Sequence, residues 1–182
     1  MKELKGGGIH TRKVKEALEK DLVMKIKPGL YKLKDYQRDE YESFVDIHKA
    51  NDSAVICLSS ALAYHELTTF NPSKITVAVP NNTDRFDLNY PPINVYFYRE
   101  NIYRAGIKEV GRSYGCFKVY NKPKTVCDMF HYRNKLGEDI AFEGLRNYLE
   151  LPEANLNELQ KYIEICRVKT VLKPYLKALV SG

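Results

Sequence analysis

The sequence has no tryptophan, few cysteines and no apolar run long enough to span a bilayer. Its longest apolar runs, such as AVICL at 54–58, fall far short of the roughly 20 residues that a membrane helix needs. The opening MKELKGGG lacks the apolar segment of a secretory signal. These absences predict a cytoplasmic protein that does not enter a membrane.

The sequence also lacks the usual patterns of a metal or nucleotide site. Its four cysteines lie far apart, with no Cys-x-x-Cys pair and no histidine at zinc-finger spacing. Three of the four sit among apolar neighbours, so we expect buried structural thiols. The triple glycine at 6–8 is followed by Ile9 and His10 instead of the Lys-Ser/Thr of a phosphate-binding loop. We therefore expect no metal and no cofactor. The cysteines are Cys57, Cys116, Cys127 and Cys166.

No convincing catalytic constellation is present, and we expect that the protein is not an enzyme. His65 lies on an apolar helical pattern, which favours a partly buried, hydrogen-bonded side chain over a general base. Asp128 and His131 lie three positions apart, so they share a helical face and could form an acid–base or ligand pair. We favour the alternative, in which Asp128 holds a neighbouring helix or Arg133 in place. A nuclease or transferase that uses Asp128 and His131 is the enzymatic alternative.

Positive charge is concentrated at the start of the chain. The 182 residues are 44% hydrophobic and 29% charged, which is typical of a globular protein, and the net charge is +6. Residues 1–34 hold ten Lys/Arg and four Asp/Glu, whereas the remaining residues hold 19 of each. This segregation indicates contact with a polyanion. The alternative is a solvated basic tail.

The basic segment has the pattern of a helix followed by a β-hairpin. Apolar residues at 14, 17, 18 and 22 fall on one helical face, and Thr11 can cap the helix start. Alternation over 22–27 predicts a strand, and Lys27-Pro28-Gly29-Leu30 predicts a type II turn before a second strand at 30–33. This order is typical of the recognition helix and wing of a winged helix-turn-helix. A basic helix followed by a hairpin also occurs as plain surface structure.

The rest of the chain predicts a single α+β domain with a small mixed sheet and C-terminal helices. Helices are expected at about 36–50 and 55–67, and strands at 73–80, 93–98, 108–110 and 117–120. Four helices follow at 124–133, 139–149, 156–167 and 170–179. We expect Asn155 to cap the third of them, and Pro174 to kink or displace the last. The predicted domains are therefore 1–34 and 35–182.

Six segments, taken in order, carry a family resemblance. They are KIKPGLYKL (25–33), VICLSSALAYHELT (55–68), KITVAVP (74–80), VYNKPKTVCDMFHYR (119–133), EDIAFEGLRNYL (138–149) and RVKTVLKPYLKAL (167–179). The ordered set covers nearly the whole chain and resembles the AbiEi family. Members of this family are antitoxins and transcriptional regulators of bacterial type IV toxin–antitoxin systems, which act in abortive infection, a form of phage defence.

The resemblance implies a partial winged helix-turn-helix at 1–34 and an antitoxin domain at 35–182. It implies an autorepressor that binds the promoter DNA of its own operon and neutralises a nucleotidyltransferase-like toxin encoded beside it. No catalytic residue or cofactor comes with the family. The antitoxin role maps only to the region 36–182, and a homodimer is expected by analogy with other groove-reading regulators. By position, the DNA-binding residues are Thr11, Arg12, Lys13 and Lys15 of the helix and Lys25, Lys27 and Lys32 of the wing.

One departure from the family pattern leaves alternatives open. Family members carry further helices before the recognition helix, which form its apolar base, whereas about ten residues precede it here. The true start lies upstream, or the unit rests on the C-terminal domain or on a second subunit, or DNA binding has been lost. In the last case the protein is a protein-interaction module, an antitoxin without DNA binding.

Overall fold

The computed structural model describes residues 11–34, 40–84 and 86–180, without the side chain of Val180. Within these ranges the chain forms eight helices and two β-sheets, which confirms the predicted α+β class. The triple glycine at 6–8 and the first residues of the helix predicted at 36–50 lie outside the described residues.

The chain begins with the predicted helix and hairpin. Helix α1 (Thr11–Glu19) leads into strands β1 (Val23–Lys27) and β2 (Leu30–Leu33), which pair antiparallel. The helix ends in a Schellman motif, because Asp21 adopts φ 58° and Leu22 N donates to Ala17 O at 2.9 Å. Gly29 has φ 83°, as the third position of a type II turn requires. The helix, both strands and the turn predicted from the sequence are confirmed.

A five-stranded mixed sheet forms the centre of the molecule. Its strands are β3 (Val55–Ile56), β4 (Ile75–Pro80), β5 (Ile93–Tyr98), β6 (Ile107–Arg112) and β7 (Gly115–Tyr120). They lie in the order β5-β4-β3-β7-β6. Strand β3 pairs antiparallel with β4 and parallel with β7, β4 pairs parallel with β5, and β6 pairs antiparallel with β7.

The prediction that a helix starts at residue 55 is wrong. Val55 and Ile56 form the central strand, and helix α3 (Leu58–Tyr64) begins only at Leu58, where the backbone turns at φ 49°. A short, continuously apolar run does not distinguish a buried strand from a buried helix by its periodicity. Hydrogen bonding to strands on both sides decides in favour of the strand here.

The remaining helices are α2 (Glu42–Ala50), α4 (Glu100–Tyr103), α5 (Lys122–Leu136), α6 (Glu138–Glu150), α7 (Leu156–Ile165) and α8 (Lys169–Val180). The last four agree with the predicted bounds to within three residues, and the short α4 was not predicted. Helix α2 begins later than the predicted residue 36, since residues 40 and 41 form a turn. Asn121 caps α5 by accepting a hydrogen bond from Lys124 N at 3.1 Å, so this helix starts two residues earlier than expected. Asn155 caps α7 as predicted, and α8 continues through Pro174.

Each face of the sheet contributes to its own apolar core, because successive strand residues point to opposite faces. The first cluster joins Val55 and Tyr98 to helices α3 and α5–α8, and it contains the buried thiols of Cys57, Cys127 and Cys166. The second cluster joins Ile56 to helix α2 and the hairpin. All four cysteines are free thiols and three of them are buried, as the sequence predicted.

Candidate nucleic-acid interface

Helix α1 presents its polar residues to solvent. None of its nine residues is buried, and Thr11, Arg12, Lys13 and Lys15 are all exposed. Arg12 Nε lies 3.3 Å from Glu16 Oε1, in a pair whose side chains are 88% and 50% exposed. The helix begins at Thr11 itself, so its cap position lies outside the described residues. The four helical residues singled out in the sequence are therefore all accessible.

Lys25 is an exposed cation on the hairpin. It lies opposite Tyr31 in the antiparallel pair and is exposed, whereas its neighbours Met24 and Ile26 face the second apolar cluster. Ile26 is only 1% exposed. The alternation of β1 therefore places one lysine outward and anchors the strand through the residues on either side of it.

Lys27 points differently, because the pairing register of the hairpin shifts between Lys25 and Lys27. Such a shift breaks the regular alternation of side chains along a strand. The half-buried Lys27 donates from Nζ to the backbone oxygen of Ala50 at the end of α2. Its ammonium group therefore binds a backbone carbonyl at the C-terminal end of α2.

Lys32 is also directed towards the body of the protein. It lies opposite Met24, and directly opposed residues of antiparallel strands share one face. Its Nζ lies 2.9 Å from Glu42 Oε1 and 2.7 Å from Asp46 Oδ2, and its side chain is 17% exposed. Burial lowers the pKa of Lys32, but the hydrogen bonds to Asp46 and Glu42 outweigh burial and leave this pKa raised. Two carboxylates of α2 thus already compensate its charge.

These contacts anchor the hairpin to the domain that follows it. Besides the contacts of Lys27 and Lys32, Asn89 N donates to Ile26 O at 2.9 Å. The sequence offered a signal for this arrangement, since Met24 and Ile26 are apolar at alternate positions. The hairpin thus rests on α2 and on the loop at Asn89.

No family model and no curated protein matches this chain. In the described ranges, no helix is long and apolar enough to cross a bilayer, and no three His, Cys, Asp or Glu side chains are grouped as metal ligands.

The candidate catalytic histidine at 65 has a structural contact. Its Nε2 lies 2.7 Å from Tyr120 O at the end of β7, and burial lowers the pKa of His65. This contact confirms the prediction of a partly buried, hydrogen-bonded histidine. Since Tyr120 is the last residue of β7 and His65 caps the end of α3, the contact connects α3 to the sheet.

Asp128 is held by groups other than His131. Its Oδ2 lies 2.5 Å from Nζ of the fully buried Lys124, and Cys166 Sγ donates to its Oδ1 at 3.4 Å. His131 is exposed, and Arg133 donates instead to Phe130 O at 3.0 Å. Asp128 thus contacts the end of α7, which agrees with the prediction that it holds a neighbouring helix in place. Its main partner, Lys124, was missed although the four-residue spacing on one helix signals such a pair.

Proposed function

We propose that this protein is an antitoxin and transcriptional autorepressor of the AbiEi type, with a winged-helix-like unit at its start. In this proposal α1 and the hairpin bind the promoter DNA of its own operon. The domain at 35–182 counteracts a nucleotidyltransferase-like toxin encoded beside it. The observation that carries the proposal is the exposure of Arg12, Lys13 and Lys15 on α1 and of Lys25 on β1, beside a hairpin fixed to the body.

The geometry narrows the set of proposed DNA contacts. Arg12, Lys13, Lys15 and Lys25 are exposed, and each cation that meets a phosphate releases counterions from DNA. Arg12 can leave Glu16, since an exposed pair of this kind contributes little free energy. In contrast, Lys27 and Lys32 are assigned to orienting the wing.

The proposal is tested by the salt dependence of promoter affinity, measured by fluorescence anisotropy. Replacing Lys13, Lys15 or Lys25 with glutamine should lower the slope of log affinity against log salt by about 0.9 each. Lys108→Gln is the matched control, because Lys108 is equally exposed but lies on β6. An unchanged slope in the three variants, or an equal change in the control, would contradict DNA contact by this surface.

A second candidate function is antitoxin activity without DNA binding. It is favoured by the compensation of Lys27 and Lys32, which removes two of the three wing lysines from the accessible basic surface. Deleting the hairpin is a poor test, because Ile26 belongs to the second cluster. The triple variant of Lys13, Lys15 and Lys25 to glutamine and the wild-type protein should instead each be co-expressed with the toxin. Full rescue of growth by both, together with no promoter binding by the wild-type protein, would establish this second function.

Neither candidate function involves catalysis, so we propose that the protein is not an enzyme. Both carboxylate oxygens of Asp128 are engaged, one by Lys124 and the other by Cys166. A general base must lie within hydrogen-bond reach of the proton that it abstracts, and burial of Asp128 opposes such access. Asp128 is 1% exposed, and its contacts give it a structural role.

A further inference from the structure

A cleft opens on the side of the sheet that carries the first cluster, away from α1 and the hairpin. It lies between the end of β5, the short α4, the middle of α5 and the junction of α7 with α8, and its volume is about 320 Å³. Its lining includes Tyr98, Arg99, Asp128, His131, Tyr132 and Arg167. Neither proposed function uses this cleft.

The lining of the cleft has an excess of cationic and basic groups. Arg99, Arg167 and His131 are exposed, and neither arginine forms an ion pair with any residue in the described ranges. Asp128 is the sole carboxylate of the lining in that part of the chain, and Lys124 compensates its charge at 2.5 Å. The two guanidinium groups therefore remain available for an anion.

The acidic residues nearest in sequence to these arginines face other cations. Glu100, which follows Arg99, pairs with Arg104 on the outer side of α4. Glu164, three residues before Arg167, pairs with Lys169 at 2.8 Å. Neither carboxylate therefore forms an ion pair with an arginine of the cleft.

Arg167 occupies a backbone position that favours glycine. Its φ is 57°, in the left-handed region, which costs an ordinary L-residue about 1–2 kcal/mol. Arg167 follows Cys166, the C-cap residue of α7, and glycine is the common residue at this position. A guanidinium group at such a position is consistent with a role for the side chain in ligand binding.

Two tyrosines give the cleft an aromatic wall. The rings of Tyr98 and Tyr132 are stacked, with centroids 6.0 Å apart and an interplanar angle of 11°. Tyr98 is 3% exposed and its hydroxyl lies beside the buried thiol of Cys57. Tyr132 is half-buried, so its ring is the one that a ligand in the cleft can reach.

We propose that this cleft binds a small phosphate monoester attached to a planar ring, which is the chemistry of a nucleoside monophosphate. Arg99 and Arg167 bind the phosphate, since guanidinium groups bind phosphate oxygens in a bidentate manner. The ring packs against Tyr132. The volume lies at the lower end of small-molecule sites, which favours a monomer over a polymer.

The test uses the full chain with nitrogen-15 labelled arginine, titrated separately with adenosine 5′-monophosphate, inorganic phosphate and adenosine. We expect the monophosphate to produce saturable shifts of the Arg99 and Arg167 Nε resonances. Phosphate alone should bind at least about tenfold more weakly, and adenosine should leave both resonances in place. No shift at these resonances with the monophosphate would overturn the proposal. Equal affinity for inorganic phosphate would overturn the part that concerns the ring.

Substitutions separate binding from general loss of positive charge. Arg99→Gln with Arg167→Gln should weaken monophosphate binding at least about 30-fold, from roughly five- to sixfold per arginine. Lys108→Gln with Arg146→Gln removes the same charge elsewhere on the surface and should change affinity less than about twofold. Equal weakening in both double variants would refute the site.

Arg167→Gly distinguishes a binding role from a structural one. The substitution relieves the positive φ, so it should raise the midpoint of thermal unfolding while it weakens monophosphate binding about fivefold. A lower midpoint with unchanged affinity would show that Arg167 acts on the fold alone. Because promoter binding involves none of these residues, failure here leaves the proposed DNA contact untouched.

Discussion

Replacing Asp128 with asparagine removes the charge that compensates Lys124 inside the first cluster. Lys124 is fully buried, and the side chain of Asp128 is 2% exposed. The ammonium group then faces a neutral amide in place of the carboxylate, beside its cation–π contacts, with Nζ 4.1 Å from the ring centre of Tyr120 and 5.1 Å from that of Tyr98. Aromatic rings compensate a buried cation only in part. Asp128→Asn should therefore destabilise the native state.

The size of the effect follows from the cost of an unpaired charge. Breaking one partner of a buried ion pair costs about 3–5 kcal/mol. A loss of about 3–5 kcal/mol corresponds to a fall of roughly 6–20 °C in the unfolding midpoint of a chain of this length.

Urea unfolding followed by circular dichroism at 222 nm measures this loss, because the helices dominate that signal and the chain has no tryptophan. Glu150→Gln is the matched control, since it breaks the exposed pair with Arg146, 3.9 Å apart, and should cost less than about 0.5 kcal/mol. The apolar double variant Lys124→Met with Asp128→Leu should recover most of the lost stability, because it buries no charge.

Two results would refute this reasoning. A loss below about 1 kcal/mol in Asp128→Asn would mean that Lys124 finds water or another partner in the native state. A double variant as unstable as the single one would mean that the cost comes from packing around Asp128 instead of from charge.

Three further predictions follow from other contacts. Lys32→Gln should lower the free energy of unfolding by about 1–3 kcal/mol in urea titrations, because it removes two charge-assisted hydrogen bonds, yet leave the salt slope of promoter binding unchanged. Gly144→Ala should cost about 1–3 kcal/mol in the same assay, since an added Cβ would lie 2.9 Å from Leu62, and a stabilised variant would contradict this close approach. Burial lowers the pKa of His65, so the stability that depends on its neutral form is complete above pH 6.5 and is lost as the pH falls below that value. His65→Gln should make the fall in unfolding free energy between pH 7 and pH 5 shallower, and an identical pH profile would exclude His65 as its source.

The sequence predicted most local structure correctly because local rules govern it. Gly29 identified its turn by the need for a positive φ, and Asn155 identified a helix start by its capping side chain. Strand β5 was predicted with the bounds that the structure shows. In contrast, Val55 and Ile56 were assigned to a helix, because only partners distant in the chain make them a strand.

The candidate interface was predicted less completely, for a geometric reason. The sequence identified Lys25, Lys27 and Lys32 as equivalent lysines on one hairpin. The register places Lys32 on the face of Met24, and the shift after Lys25 redirects Lys27, so two of the three contact α2. Composition and alternation do not contain the pairing register, since a slip of one residue exchanges the two faces of a strand.

The two-residue strand β3 has a consequence for the order in which the protein is made. Val55 pairs with Lys118, 63 positions further along the chain, and this pairing joins the β4–β5 pair to the β6–β7 pair. A ribosome that adds about 5–20 residues per second needs roughly 3–13 seconds to cover that distance. Until β7 is synthesised, β3 can pair with β4 but lacks its second partner. The nascent chain therefore exposes the edge of β3 that pairs with β7 in the complete sheet. Chaperones that shield such edges are therefore expected to associate with the emerging chain before β7 is synthesised.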